Sequence, residues 1–154
     1  MNRPEKLKWY KKEFEDISQE VHSKIALSYS DFLRIRNFKL QNSTTESEDN
    51  VKKITSKAFE LAEKDKIKEA VEELIKLDGV AIPITSTILA VKYPSKFAII
   101  DIRVLKALNK EEWIKGDKYK KDPKIYEDYI HLMRKIKPEG IPLRDYERSL
   151  FEKS

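Results

Sequence analysis

Few residues in this chain could do chemistry, and they cluster. Asp101 follows a short apolar run, Phe97 to Ile100, and stands directly before a helical pattern carried by Val104, Leu105 and Leu108. A carboxylate there has two roles open to it. It can cap the helix, since Asp is a favoured N-cap residue, or it can serve catalysis, and capping alone would explain it. Upstream, Asp78-Gly79-Val80-Ala81 reverses the chain between two apolar periodic stretches. Gly79 permits a left-handed backbone there, and Val80 can plug the space between the two helices. From Ala81 onward the backbone N–H groups open a helix and lack partners inside it, which is a ready site for a phosphate. Thr85 and Ser86 are small enough to let two helices pack closely. His22 and His131 are lone histidines without metal-ligand spacing and read as structural. No P-loop, dinucleotide fingerprint, zinc pattern or Ser-His-Asp arrangement is present, and no metal or other cofactor is expected.

The stretch from Leu74 to Leu105 contains the pattern hydrophobic-x-x-Leu-x-Gly-Val-small-x-x-x-small, which resembles the helix–hairpin–helix DNA-binding motif. Asp101 lies 22 positions after Gly79. That separation, with the intervening turn and apolar stretch, resembles the DNA glycosylases of the helix–hairpin–helix superfamily. In them an essential Asp starts the helix that follows. The similarity is clear over residues 74–108. It continues weakly to residues 142–150, which look like the closing helix of compact 8-oxoguanine-glycosylase-like proteins. The resemblance implies double-stranded DNA as partner, Asp101 as catalytic carboxylate, and Gly79, Val80, Ala81, Thr85 and Ser86 as the nucleic-acid-binding motif. Two positions depart from the pattern. Ala81 replaces the second hairpin glycine, and Pro83 stands where bifunctional members carry a nucleophilic Lys. Proline cannot form a Schiff base, so a monofunctional base-excising N-glycosylase is the implied activity, with no lyase of the lysine type. A catalytically inactive nucleic-acid-binding or partner-binding module of the same fold is the alternative. A plain helical interaction module, with Gly79 only a helix C-cap, is the third reading.

The elements that must position these residues are helical. Residues 4–23 read as an amphipathic helix on Leu7, Tyr10, Phe14, Ile17 and Val21, with Tyr10 assigned to the core and Trp9 left open. Residues 25–40 begin as a helical face that fades at Arg36. Residues 34–40 alternate and could instead be extended. Residues 41–50 are polar and nonperiodic, the clearest loop in the chain, joining two lobes of one domain spanning 1–154. Helices follow over 51–64 and 66–77. The loop 110–124 interleaves lysines with Trp113 and Tyr119, which suits strand binding or a solvated face. Helices over 123–136 and from Leu143 on close the chain. An all-α bundle of about seven helices around a central hairpin is expected.

Composition bounds the rest. The 154 residues suffice for one domain with a real core. Three glycines and 38% charged residues fit exposed helices rather than a loop-rich β fold. The absence of cysteine excludes disulfides and the iron–sulfur cluster that some superfamily members carry. A net charge of +5 is compatible with nucleic acid without demanding it. The start, Met-Asn-Arg-Pro-Glu-Lys, has no signal-peptide pattern and no stretch approaches a membrane span, so a cytoplasmic monomer is the default expectation.

Overall fold

A computed structural model describes residues 1–39 and 44–154, and among these every regular element is a helix. In chain order they are α1 (Arg3–Val21), α2 (Tyr29–Lys39), α3 (Glu48–Glu63), α4 (Ile67–Leu74), α5 (Ile82–Lys92), α6 (Ile102–Ala107), α7 (Glu111–Ile114), a 3₁₀ turn (Lys115–Asp117), α8 (Lys118–Lys121), α9 (Pro123–Ile136) and α10 (Leu143–Glu152).

α5 sits at the centre. Its sequence, Ile-Pro-Ile-Thr-Ser-Thr-Ile-Leu-Ala-Val-Lys, offers no polar stripe, and a helix apolar on all sides must be surrounded. All its residues except Pro83 are buried, and α1, α2, α4, α8 and α9 pack around it. Lys92 escapes the conflict between charge and burial by donating to the His22 carbonyl at 2.7 Å, with its ammonium over the Phe59 and Tyr93 rings. The same contact satisfies the end of α1, and the His22 ring, at the surface, lies with Nδ1 2.9 Å from the Gln19 carbonyl oxygen. The helix starts are set by local caps. Asn2, Ser47 and Asp122 accept from backbone N–H groups in the first turns of α1, α3 and α9.

Four boundaries differ from the sequence expectation. α2 stays helical through Lys39, and the face does not fade at Arg36, because Arg36 itself is buried on it with its guanidinium over Phe32. α3 starts at Glu48, since Ser47 caps it, so the polar loop is shorter than 41–50; residues 41–43 lie outside the described residues. α4 ends at Leu74 rather than Leu77, and turns carry the chain on to Gly79. Residues 110–124 are wound into short turns of helix instead of an open loop. Tyr119 points inward there at 5% exposure, so it offers no platform for a base. The core is continuous from Phe14 in α1 to Leu143 in α10. No helix is long and apolar enough to cross a membrane among the described residues.

Candidate functional site

The hairpin is built as its sequence requires. Gly79 has φ +72°, the left-handed region, and Val80 is buried between α4 and α5. The turn is braced from two sides. Arg36 Nη1 donates to the Gly79 carbonyl at 2.9 Å. On the other side the segment before α3 clasps Asp78. The Asp78 carboxylate accepts from the Thr45 N–H at 2.8 Å and from the Thr45 hydroxyl at 2.9 Å, and the Asp78 N–H donates to Glu46 Oε2 at 2.8 Å. The Thr45 N–H and then its hydroxyl hold the Asp78 carboxyl below its ordinary value. Ala81 is exposed, and its N–H meets no acceptor among the described residues, at the start of α5.

Thr85 and Ser86 take a different part from the one expected of them. Both are fully buried, so neither side chain reaches a nucleic acid. Ser86 Oγ donates to the Pro83 carbonyl at 2.8 Å and accepts from the Ile100 N–H at 3.1 Å. Thr85 Oγ1 has no hydrogen-bond partner among the described residues. Their small size admits the extended run Phe97–Ile100 against α5.

That run is a strand without a sheet, and its buried polar groups need partners. Side chains supply them. The Tyr126 hydroxyl donates to the Ala98 carbonyl at 2.8 Å, and the Tyr129 hydroxyl to the Ile99 carbonyl at 2.7 Å. Glu147 Oε1 accepts from the Ile99 N–H at 2.8 Å. Glu147 is buried, and burial pushes its carboxyl up against the opposing pull of the Arg144 guanidinium, whose Nη1 donates to both carboxylate oxygens. Four side chains from α5, α9 and α10 thus fix the segment that delivers Asp101.

Asp101 caps α6. Its Oδ1 accepts from the Arg103 N–H at 2.8 Å, and its Oδ2 pairs with Lys39 Nζ at 3.4 Å. Arg36 and Lys39 are three residues apart on α2, about 4.5 Å of rise. One helical turn therefore touches both the hairpin glycine and the Asp101 carboxylate.

A cleft of about 530 Å³ opens beside Asp101. Its walls are the start of α1, the end of α2, Ile99 and α10. No residue from 78 to 86 lines it; the hairpin is linked to it through α2, where Arg36 holds Gly79 and Lys39 lines the cleft. Tyr10, assigned to the core from its spacing, is 39% exposed and lines the cleft, edge-on to Phe38 at 5.5 Å. The first turns of α1 project past the core, so helical spacing alone misassigned it. Arg144 and Glu147, also in the wall, sit on the buried face of α10 and are invisible to a reading that takes charge as solvent-facing. No group of His, Cys, Asp and Glu among the described residues is placed to hold a metal ion. Comparison of the chain with protein-family models, with curated proteins and with solved structures gave no match in any of the three.

Proposed function

We propose that the chain is a DNA-binding protein of the glycosylase type, a monofunctional N-glycosylase that removes a damaged or mismatched base. The observation that carries this is the placement of Asp101 on the wall of a cleft of about 530 Å³, one turn of α2 from the hairpin glycine. That volume falls within the range of small-molecule sites and admits a nucleobase flipped from a duplex. In this reading the Ala81 end of α5 receives a backbone phosphate. The everted nucleotide enters the cleft. As the N-glycosidic bond breaks, the base leaves with the bonding pair and the sugar gains positive charge. The Asp101 carboxylate stabilises that charge while water adds to the sugar carbon, and the proton that the water loses neutralises the departed base.

Pro83 brings no amine to the site, but Lys39 stands beside Asp101. As the ion-pair partner of a carboxylate it acts as a counter-ion and not as a nucleophile. A test is incubation with labelled duplexes carrying a panel of damaged and mismatched bases, read with and without alkali. Strand breaks only after alkali, with no adduct trapped by borohydride, are the expected result. A Lys39-dependent covalent adduct would overturn the monofunctional assignment. The inactive binding module keeps one observation in its favour. Both Asp101 oxygens already have partners, Arg103 N–H and Lys39, which is the full duty of a capping residue. A wild type that binds duplex yet excises nothing would decide for it.

A further inference from the structure

We propose that Lys6, Lys11 and Arg103 form a second anchor for the DNA strand, separate from the hairpin, with the Tyr10 ring as the platform against which a base stacks. The proposal rests on the DNA-binding reading above and adds the path of the strand.

The charges around the cleft carry the inference. Three carboxylates line it, Asp101, Glu147 and Glu152. Each has a cation already: Lys39 at 3.4 Å, Arg144 through Nη1, and Arg148 at 3.7 Å. Arg3 is occupied too, donating to the Glu152 and Ser154 carbonyl oxygens. Lys6, Lys11 and Arg103 remain. All three are exposed, all line the cleft, and none has a carboxylate within ion-pair distance among the described residues. The Arg103 guanidinium lies over the Phe151 ring at 5.2 Å, inside the cleft. By contrast Lys12, which does not line the cleft, is paired with Asp16 at 2.9 Å. Lys6, Lys11 and Arg103 thus leave positive charge open within the cleft.

A cleft with surplus cations from two helices fits a polyanion. Its aromatic content narrows the choice. Tyr10 lies between Lys6 and Lys11 in sequence and is braced by Trp9 at 5.1 Å and Phe38 at 5.5 Å. A braced, half-exposed ring between two free lysines is the combination that holds a nucleic-acid strand by phosphate charge and base stacking. Lys6 and Lys11 are separated by about 7.5 Å of helix rise, and Arg103 lines the same cleft from α6. The hairpin then holds the backbone on one side of the everted nucleotide, and α1 with α6 holds it on the other.

The test is fluorescence anisotropy with a labelled duplex carrying one central mismatch, titrated over a range of salt. Each phosphate contact contributes roughly −0.9 to the slope of log affinity against log salt. The variant Lys6→Gln/Lys11→Gln/Arg103→Gln should flatten the slope by roughly 2 to 3. A control, Lys57→Gln/Lys64→Gln/Lys135→Gln, removes exposed lysines that line neither this cleft nor the neighbouring recess and should leave the slope unchanged. Tyr10→Leu should weaken binding roughly 5- to 100-fold, the size of one stacked base, without altering the slope. Tyr10→Phe should restore the affinity. Melting temperatures equal to wild type establish that each variant is folded. Wild-type binding with a steep slope that the triple variant retains would overturn the second anchor and leave the DNA-binding reading standing. Unchanged affinity in Tyr10→Leu would overturn the platform. A wild type that binds no duplex at low salt would overturn the DNA-binding reading and the anchor with it.

Discussion

At the scale of single residues, the two small polar side chains of α5 have opposite energetic signs. Ser86 is the acceptor for the buried Ile100 N–H, so Ser86→Ala should cost roughly 1–3 kcal/mol by leaving that donor unpaired. Thr85 is as deeply buried, with a hydroxyl that meets no partner among the described residues. Thr85→Val keeps the shape and removes the stranded group, so stability should hold or rise by about 1 kcal/mol. Chemical denaturation measures both, and neither change should alter affinity for DNA, since neither side chain reaches the surface. Gly79 is constrained twice. Its φ of +72° disfavours any side chain, and a Cβ would sit 3.1 Å from Arg36 Nη2, the guanidinium that holds the turn. Gly79→Val should therefore destabilise by about 2 kcal/mol or more and abolish hairpin-dependent DNA binding. A Val variant that melts and binds like wild type would show that the turn tolerates a different backbone.

At the scale of elements, the hairpin depends on the segment that precedes α3. Thr45 holds the Asp78 carboxyl below its ordinary value, and the backbone N–H of Asp78 does the same for Glu46. A depressed folded-state value means the stabilisation is present above the ordinary carboxylate range and lost as pH falls through the depressed value. Acidification below about pH 4 should release the segment from the hairpin. The Thr45 amide resonance, followed by NMR, should shift with that step, and Asp78→Asn should remove it. A Thr45 amide indifferent to acid would contradict the clasp. The helices around this hairpin were legible because their apolar residues repeat at helical spacing: Ile54, Ala58 and Ala62 in α3, Ala70, Val71 and Leu74 in α4, Tyr126, Ile130 and Met133 in α9. α2 was not, because Asp31 and Arg36 lie on its buried face. Asp31 pairs with Lys24 and with the Ser28 N–H, and Arg36 bonds Gly79. Residue type does not distinguish a buried, partnered charge from a solvated one. The tyrosine hydroxyls that hold Ala98 and Ile99 were hidden for a related reason. Periodicity reports which face of α9 is buried and says nothing of what the hydroxyls meet. An isolated extended run in a helical protein did carry the signal that side chains must satisfy it.

At the scale of the whole molecule, Asp101 was readable as a cap from its place before an apolar helical pattern, whereas the cleft beside it was not. Its walls bring α1 and α10, from the two ends of the chain, together with Phe38, Ile99 and Arg103 from the middle, and no local pattern joins them. The molecule brings a braced hairpin, a capped carboxylate and an open basic cleft to neighbouring positions through one turn of α2. In the function proposed above, this carboxylate does chemistry in addition to capping. Asp101→Asn separates the two roles, because Asn remains a good N-cap while the charge is lost. Asp101→Ala, which loses both, should cost about 1 kcal/mol of stability. The decisive measurement is base excision by wild type and Asp101→Asn over a panel of damaged bases, with duplex affinity measured on the same samples. Wild type should excise and Asp101→Asn should not, with affinity and melting temperature retained. Equal excision by the two proteins would contradict that role for Asp101.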